Sequence, residues 1–160
     1  MKISQVGLDF ITEFEGFYSK AYQDQAGIWT IGIGTIKYPS GVKVAKSDTC
    51  SKEDANRWLA FEVNEKCAYF NQVLGKINWK PSQNQYDALI SFFYNVGIGK
   101  CYQDTTMGDA IYSKRPEIIA KAFLVYCKYT KFGIKLTSKG LLRRRLAEKA
   151  LFEKVPNYFV

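Results

Sequence analysis

The chain contains no histidine. That absence removes Ser–His and Cys–His nucleophilic schemes and imidazole-based metal sites together. Proton transfer is left to carboxylates, lysine, tyrosine or cysteine. The four cysteines, Cys50, Cys67, Cys101 and Cys127, include no CxxC pair, which argues against zinc. If a helix runs from just after Cys50 through Cys67, about 17 residues at 1.5 Å per residue part them by roughly 25 Å. A disulfide needs Cα atoms within about 7 Å, so that pairing is disfavoured. Cys101 with Cys127 is the pairing to test; four small buried apolar side chains are the simpler expectation. No apolar run approaches the roughly 20 residues of a membrane span. The opening MKISQVGLDFITEFEG carries polar residues throughout its apolar pattern, unlike a signal peptide or an anchor. Synthesis in a cytoplasm is expected, with help for any export. There is no internal repeat, low-complexity tract or flexible linker.

What is present describes a globular chain. Hydrophobic residues make up 47% and charged residues 24% of 160 positions, enough for an ordinary core and one domain. The net charge of +8 favours an anionic partner such as nucleic acid, anionic lipid or a bacterial cell-wall polymer, without choosing among them. Ser4 can cap a helix over 4–15, in which Val6, Phe10 and Phe14 recur at helical spacing and Gly16 suits the exit. Residues 17–46 turn to period-two, aromatic and β-branched usage. AYQDQAGIWTIGIG predicts two short strands around a turn at Gln23–Gly27, and Gly41 a further strand near Val42–Val44. From Ser51, a capping box with Asp54 opens a helix of about twenty residues carrying Ala55, Leu59, Val63, Cys67, Phe70 and Leu74, closed by Gly75. Ser82 and Gln85 cap a helix over 83–96 that Gly97 ends. Further helices are expected near 106–113, from Pro116 as first residue, and, strongly basic, over 138–154. The fold class is α+β: a small N-terminal lobe with a short antiparallel sheet (about 14–60), a long connecting helix, and a helical C-terminal lobe (about 75–160) on which helix 4–15 packs, all one domain.

The stretch EGFYSKAYQDQAGIWTIGIGT organises the rest. Eight residues separate Glu15 from Asp24, and five separate Asp24 from Thr30. Two acids and a water-binding hydroxyl form a minimal kit for glycoside hydrolysis. Each residue also has an ordinary reading: a surface Glu in a last helical turn, an Asx-turn Asp, and a β-forming Thr. A phosphate loop at Gly32 and Gly34 lacks the GxxG that should follow, so tight sheet packing is the better reading.

These residues resemble the phage lysozyme (endolysin) family of T-even type, glycoside hydrolase family 24. FEG with Glu15, AYQDQAG with Asp24 and WTIGIG with Thr30 reproduce that family's acid, carboxylate and threonine at its spacing. QNQYDALISFFYNVG (83–97) is similar to its central helix and GLLRRRLAEKALF (140–152) to its closing helix. The resemblance covers most of the chain and implies a lysozyme-like fold. It implies Glu15 as general acid, Asp24 as the second carboxylate in an inverting reaction, and Thr30 as holder of the water, with retention through a covalent intermediate as the alternative mechanism. Tyr94 and Asn95 fall where the family lines its sugar cleft, although a helix C-terminal turn explains them equally well. Of the run Arg143–Arg145, otherwise a solvated face, Arg144 aligns with an arginine that pairs with the acid, a pairing opposed to the helix dipole. Two departures stand out. Thr35 replaces a histidine that follows GIG in the T-even enzymes, which implies a changed loop rather than lost activity. A tryptophan common in the penultimate helix is replaced near Cys127.

The implied activity is an endolysin cleaving between N-acetylmuramic acid and N-acetylglucosamine during host lysis, with no metal and no cofactor. The partner is bacterial peptidoglycan and not nucleic acid. A monomer is expected, with at most weak contact of the basic last helix with anionic membrane. The protein would wait in the host cytoplasm until a holin lesion releases it to the periplasm and wall. Competing readings are a lytic transglycosylase, for which Asp24 would be dispensable, and a non-enzymatic basic protein binding cell wall or nucleic acid.

Overall fold

The computed structural model describes residues 1–24, 26–131 and 134–154. Along them run α1 (Gln5–Glu15), β1 (Tyr18–Gln23), β2 (Trp29–Gly32), α2 (Lys52–Ile77), α3 (Gln83–Val96), α4 (Thr106–Ser113), α5 (Pro116–Phe123), β3 (Lys128–Lys131), β4 (Ile134–Thr137) and α6 (Lys139–Glu153). Single 3-10 turns follow α3 and α5. The class is α+β, dominated by helices.

Local chemistry sets most boundaries. Ser4 accepts from the Gly7 N–H to start α1, satisfying one of the donors a helix start leaves free. Both halves of a capping box form at Ser51–Asp54 and again at Ser82–Gln85, as the spacing predicts. Pro116 opens α5. Strands β1 and β2 form an antiparallel hairpin with Tyr22 opposite Thr30 and Gln23 opposite Trp29, and a register irregularity between Tyr18 and Tyr22.

Three expectations are corrected. Helix α2 does not stop at Gly75; it runs 26 residues to Ile77, and Asn78 ends it at φ +49°. Asparagine tolerates that left-handed conformation, and Gly75 stays inside the helix beside buried Leu74. No strand forms near Val42–Val44. A single bridge joins Lys37 to Lys43 across a turn closed by Tyr38 N–H to Val42 O at 2.9 Å. The C-terminal lobe, expected to be helical, also carries a hairpin that no reading of the sequence placed: β3 and β4 pair antiparallel, Lys128 with Thr137 through Lys131 with Ile134.

Helix α3 is the centre of the molecule. Every residue from Tyr86 to Phe93 is buried, and α1, α2 and α6 pack around it. Phe92 meets Phe93, Phe123 and Tyr126 edge-on, and Phe70 meets Tyr86 and Phe93. Such pairs add about 0.5–1.5 kcal/mol each to burial. The start of α1 is tied to this core through Asp87, which accepts from the Ser4 N–H at 3.0 Å and from the Ser4 hydroxyl. All four cysteines are free, so the Cys101–Cys127 pairing does not form. Cys127 donates to Leu124 O within its own turn, and burial pushes the Cys101 thiol up to about 11.

Candidate active site

Glu15 is the last residue of α1 and turns its carboxylate toward α6. Arg144 Nη1 donates to Glu15 Oε1 at 2.5 Å, joining positions 129 residues apart. The Glu15 side chain keeps 21% of its surface, whereas Arg144 keeps 6%. The Phe14 ring lies beneath the Arg143 and Arg144 guanidiniums, with centroid distances of 5.8 and 5.5 Å, a cation–π arrangement that restrains both. Of the arginine run only Arg143 is exposed; Arg145 is fully buried.

Behind Arg144 sits a carboxylate that the sequence reading did not single out. Glu148 has no exposed side-chain surface, and its Oε1 accepts from Ser91 Oγ at 3.0 Å, Arg144 Nε at 3.2 Å and Arg145 Nη2 at 3.0 Å. Arg145 Nε approaches Glu148 Oε2 at 2.9 Å, and Arg145 Nη2 also donates to Asn95 Oδ1 at 3.1 Å. Burial pushes the Glu148 carboxyl up, opposed by Arg145 and then Arg144. Burial also weakens the hold of Arg145 on its proton, opposed by Glu148. The i,i+4 and i,i+3 spacing of Glu148 from the two arginines was the available sequence signal.

On the other side of Glu15, Tyr94 OH donates to Ile33 O at 2.7 Å and fixes the end of β2. Gly34, at φ +81°, comes so close that a Cβ would lie 3.2 Å from Glu15 Oε2 and 3.4 Å from the Tyr94 hydroxyl. Only glycine suits both that conformation and that space. The Tyr94 phenol is driven well above its ordinary range by burial, then by Glu62 and Glu15, with Arg144 pulling the other way. Lys66 Nζ stands 5.1 Å from the centre of the Tyr94 ring. Thr35 is wholly buried and closes the turn by mutual backbone bonds with Ile31 at 2.9 and 3.0 Å. Beside it, burial pushes the Glu62 carboxyl up, opposed first by Lys66.

Asp24 and Thr30 stand on the β1–β2 hairpin. Asp24 Oδ1 accepts from Ala26 N–H at 2.8 Å and Ile28 N–H at 2.9 Å, an Asx turn that uses one oxygen of the carboxylate. Among the described residues Oδ2 takes no such bond. Thr30 is 4% exposed, and its hydroxyl donates to Ile28 O at 3.1 Å, leaving its lone pairs to accept. Tyr22, paired with Thr30 across the hairpin, feels both Glu15 and Asp24. After burial and Tyr18, these carboxylates help to hold its phenol above the ordinary range.

A cavity of about 860 Å³ opens beside Glu15, with Phe14, Asn95, Lys139, Arg143 and Arg144 in its wall and Thr137 of β4 at its edge. Glu15, Asn95 and Arg144 therefore share one cavity. Asp24, Thr30 and Tyr94 stand outside that lining. Among the described residues no cluster of cysteine and acidic side chains is arranged to hold a metal ion. What the site offers is carboxylate acid–base chemistry beside a guanidinium, next to a basic hollow.

Comparison with known proteins bears on that chemistry. The profile of the family described as phage lysozyme matches residues 12–148. The endolysin of Acyrthosiphon pisum secondary endosymbiont phage 1 is 32% identical, over 96% of this chain and 99% of its own length. The endolysin of Bacillus phage B103 is 34% identical over 95% of this chain, which spans only 54% of that longer protein. Among solved structures, the endolysin from Escherichia coli O157:H7 phage FAHEc1 superimposes with a TM-score of 0.86, at 37% identity, over 96% of this chain and 94% of its own.

Proposed function

The chain belongs to the phage lysozyme family and is a glycoside hydrolase acting on peptidoglycan; from that premise we propose that it cleaves between N-acetylmuramic acid and N-acetylglucosamine, with Glu15 as general acid. One observation carries the assignment: an incompletely buried carboxylate at a helix end, gripped by Arg144 at the wall of a large cavity. Within the family the Glu15–Asp24–Thr30 spacing supports the T-even branch, glycoside hydrolase family 24.

Hydrolysis begins when protonated Glu15 gives its proton to the leaving oxygen and the sugar takes oxocarbenium character. Asp24 accepts a proton from water on the opposite face, through the oxygen that the turn does not use. The water oxygen bonds to the anomeric carbon as the bond to the leaving oxygen breaks, and its remaining O–H donates a hydrogen bond to the Thr30 hydroxyl oxygen, whose own hydrogen is committed to Ile28 O. The product is inverted, which requires carboxyl groups roughly 6.5–9.5 Å apart. Arg144 orients Glu15 and takes up its charge after transfer. Asn95 meets the sugar, and Tyr94 holds Gly34 against Glu15. The reaction takes no metal and no cofactor.

The cleft would divide a lobe of about 14–60 from one of about 75–160, of which 155–160 lie outside the described residues, with helix 4–15 on the second. The enzyme works as a monomer, touches anionic membrane at most weakly, and reaches the wall through a lesion opened by a holin. Expression alone would then leave cells intact until the membrane is permeabilised; lysis without permeabilisation would overturn that route. The catalytic assignment is tested by clearing of purified peptidoglycan with wild type, Glu15→Gln and Asp24→Asn, products being analysed by mass. Loss in both variants and reducing muramic-acid ends are expected. Anhydro ends with active Asp24→Asn would mean a transglycosylase, and full activity in Glu15→Gln would remove Glu15 from the reaction.

A further inference from the structure

We infer that Glu148 is a positioning residue for both the acid and the sugar-binding amide: through Arg144 it sets the charge that Glu15 faces, and through Arg145 it sets which end of Asn95 meets the substrate. The inference rests on Glu15 being the general acid.

Two guanidiniums, Arg144 in the cavity wall and Arg145 outside its lining, both meet Glu148, and neither has free access to solvent. Two unanswered cations there would be costly to bury. Glu148 answers both, and with Glu15 ionised the four groups sum to zero. Protonating Glu15 leaves the group at +1, so the proton that the reaction needs is held against a charge whose size Glu148 controls. Without Glu148 that charge would rise to +2, and ionised Glu15 would be favoured more strongly. The Glu148 bond to Arg144 Nε also leaves Nη1 to reach Glu15. A guanidinium offers its donors in a fixed fork, so the first bond determines where the second points.

The second branch concerns specificity. Asn95 Oδ1 is taken by Arg145 Nη2, so the group Asn95 offers to the cavity is its NH2 donor. A donor at that wall suits a carbonyl acceptor, and the acetamido carbonyl of an N-acetylated sugar is the acceptor the substrate carries. Arg145 is held in turn by Glu148 at 2.9 and 3.0 Å. The charged and titratable groups about this system are Lys139, Arg143, Arg144 and Arg145 on α6, Tyr94 on α3, Glu62 on α2 behind Tyr94, Tyr22 and Asp24 on the hairpin, and Cys127 beside Arg145.

The test measures the pH dependence of kcat/KM on soluble peptidoglycan fragments for wild type, Glu148→Gln, Ser91→Ala and Glu15→Gln, with thermal unfolding in parallel. In Glu148→Gln the alkaline limb of the profile moves to lower pH by about half a unit to one unit, and KM rises about tenfold as Asn95 loses its orientation. Ser91→Ala keeps the charge and loses one hydrogen bond, so its profile stays in place. If Glu148→Gln does not fold, Arg145→Lys keeps the charge and loses the Nη2 bond to Asn95. It then raises KM about tenfold with kcat unchanged, and an unchanged KM overturns the inference. A folded Glu148→Gln whose alkaline limb and KM both match wild type also overturns it. Activity in Glu15→Gln would instead sink the reading of the site beneath it, so the two failures are distinguishable.

Discussion

The two carboxylates of the proposed site are held on opposite plans, and the parts that hold them can be compared as two walls. Asp24 is held by its own turn: among the described residues, both hydrogen bonds to its carboxylate come from within four positions. Glu15 is held by Arg144, 129 residues away, and Arg144 by a buried network joining α3 to α6. One wall forms wherever the hairpin forms. The other exists only when the first helix and the last are both docked on α3. Local hydrogen bonds can orient a carboxylate while leaving it wet. Holding a charged pair in a nearly dry place takes the whole core.

The comparison can be broken most forcefully at Arg145. Arg145→Met leaves Glu148 with one guanidinium instead of two, and about 3 kcal/mol of stability is expected to go, read by urea unfolding; a loss below about 1 kcal/mol would make the network a bystander. Next is Ser4→Ala, which removes the cap of α1 and one of the two Ser4 bonds to Asp87. It should lower stability by about 1 kcal/mol and loosen Glu15 from the far end of the same helix. Amide exchange at Phe14 and Glu15 would then quicken, whereas exchange in the hairpin would not. Third is Glu62. Burial holds its carboxyl above the ordinary range, so its contribution to stability is full below about pH 4.5 and fades as the pH rises through its folded-state value. Glu62→Gln should melt about 2–4 °C higher than wild type at pH 7, with the two converging near pH 4. A constant gap across that range would contradict the sign. The smallest effect on stability falls on the hairpin. Asp24→Ala should change unfolding by less than about 1 kcal/mol while turnover drops at least a hundredfold, measured by release of reducing ends. Equal losses at Asp24 and Arg145 in unfolding would erase the distinction between the walls.

The same division explains what could be read from the sequence. Glu15, Asp24 and Thr30 lie within sixteen residues, and the helix exit, turn and strand that carry them are written in Gly16, the QDQAG turn and WTIG. Both capping boxes, Pro116 and Gly97 mark boundaries in the same local way. The burial of Glu148 and Arg145 was not legible beyond their i,i+3 spacing, because a basic helix with charges on every side looks like a solvated one until its neighbours are known. Thr35 and Glu62 meet only through the packing of a loop on α2. The β3–β4 hairpin escaped notice because its strands are four residues each and rich in lysine. Arg144 was reachable by resemblance and not from the pattern of α6 alone.

Helix α2 reaches from the hairpin to the core in a single piece. Near its start Ala55 lies against Gly32, where an added Cβ would come within 2.9 Å, and near its end Phe70 packs on Tyr86 and Phe93. Twenty-six residues span about 39 Å, which makes the helix a lever arm. A tilt of about five degrees at one end carries the other roughly 3 Å at that length, comparable with the thickness of a sugar ring. Against that lever work the direct ties between hairpin and core, Tyr94 OH to Ile33 O and the close approach of Gly34 to Glu15, so a change at either would be felt along the whole helix.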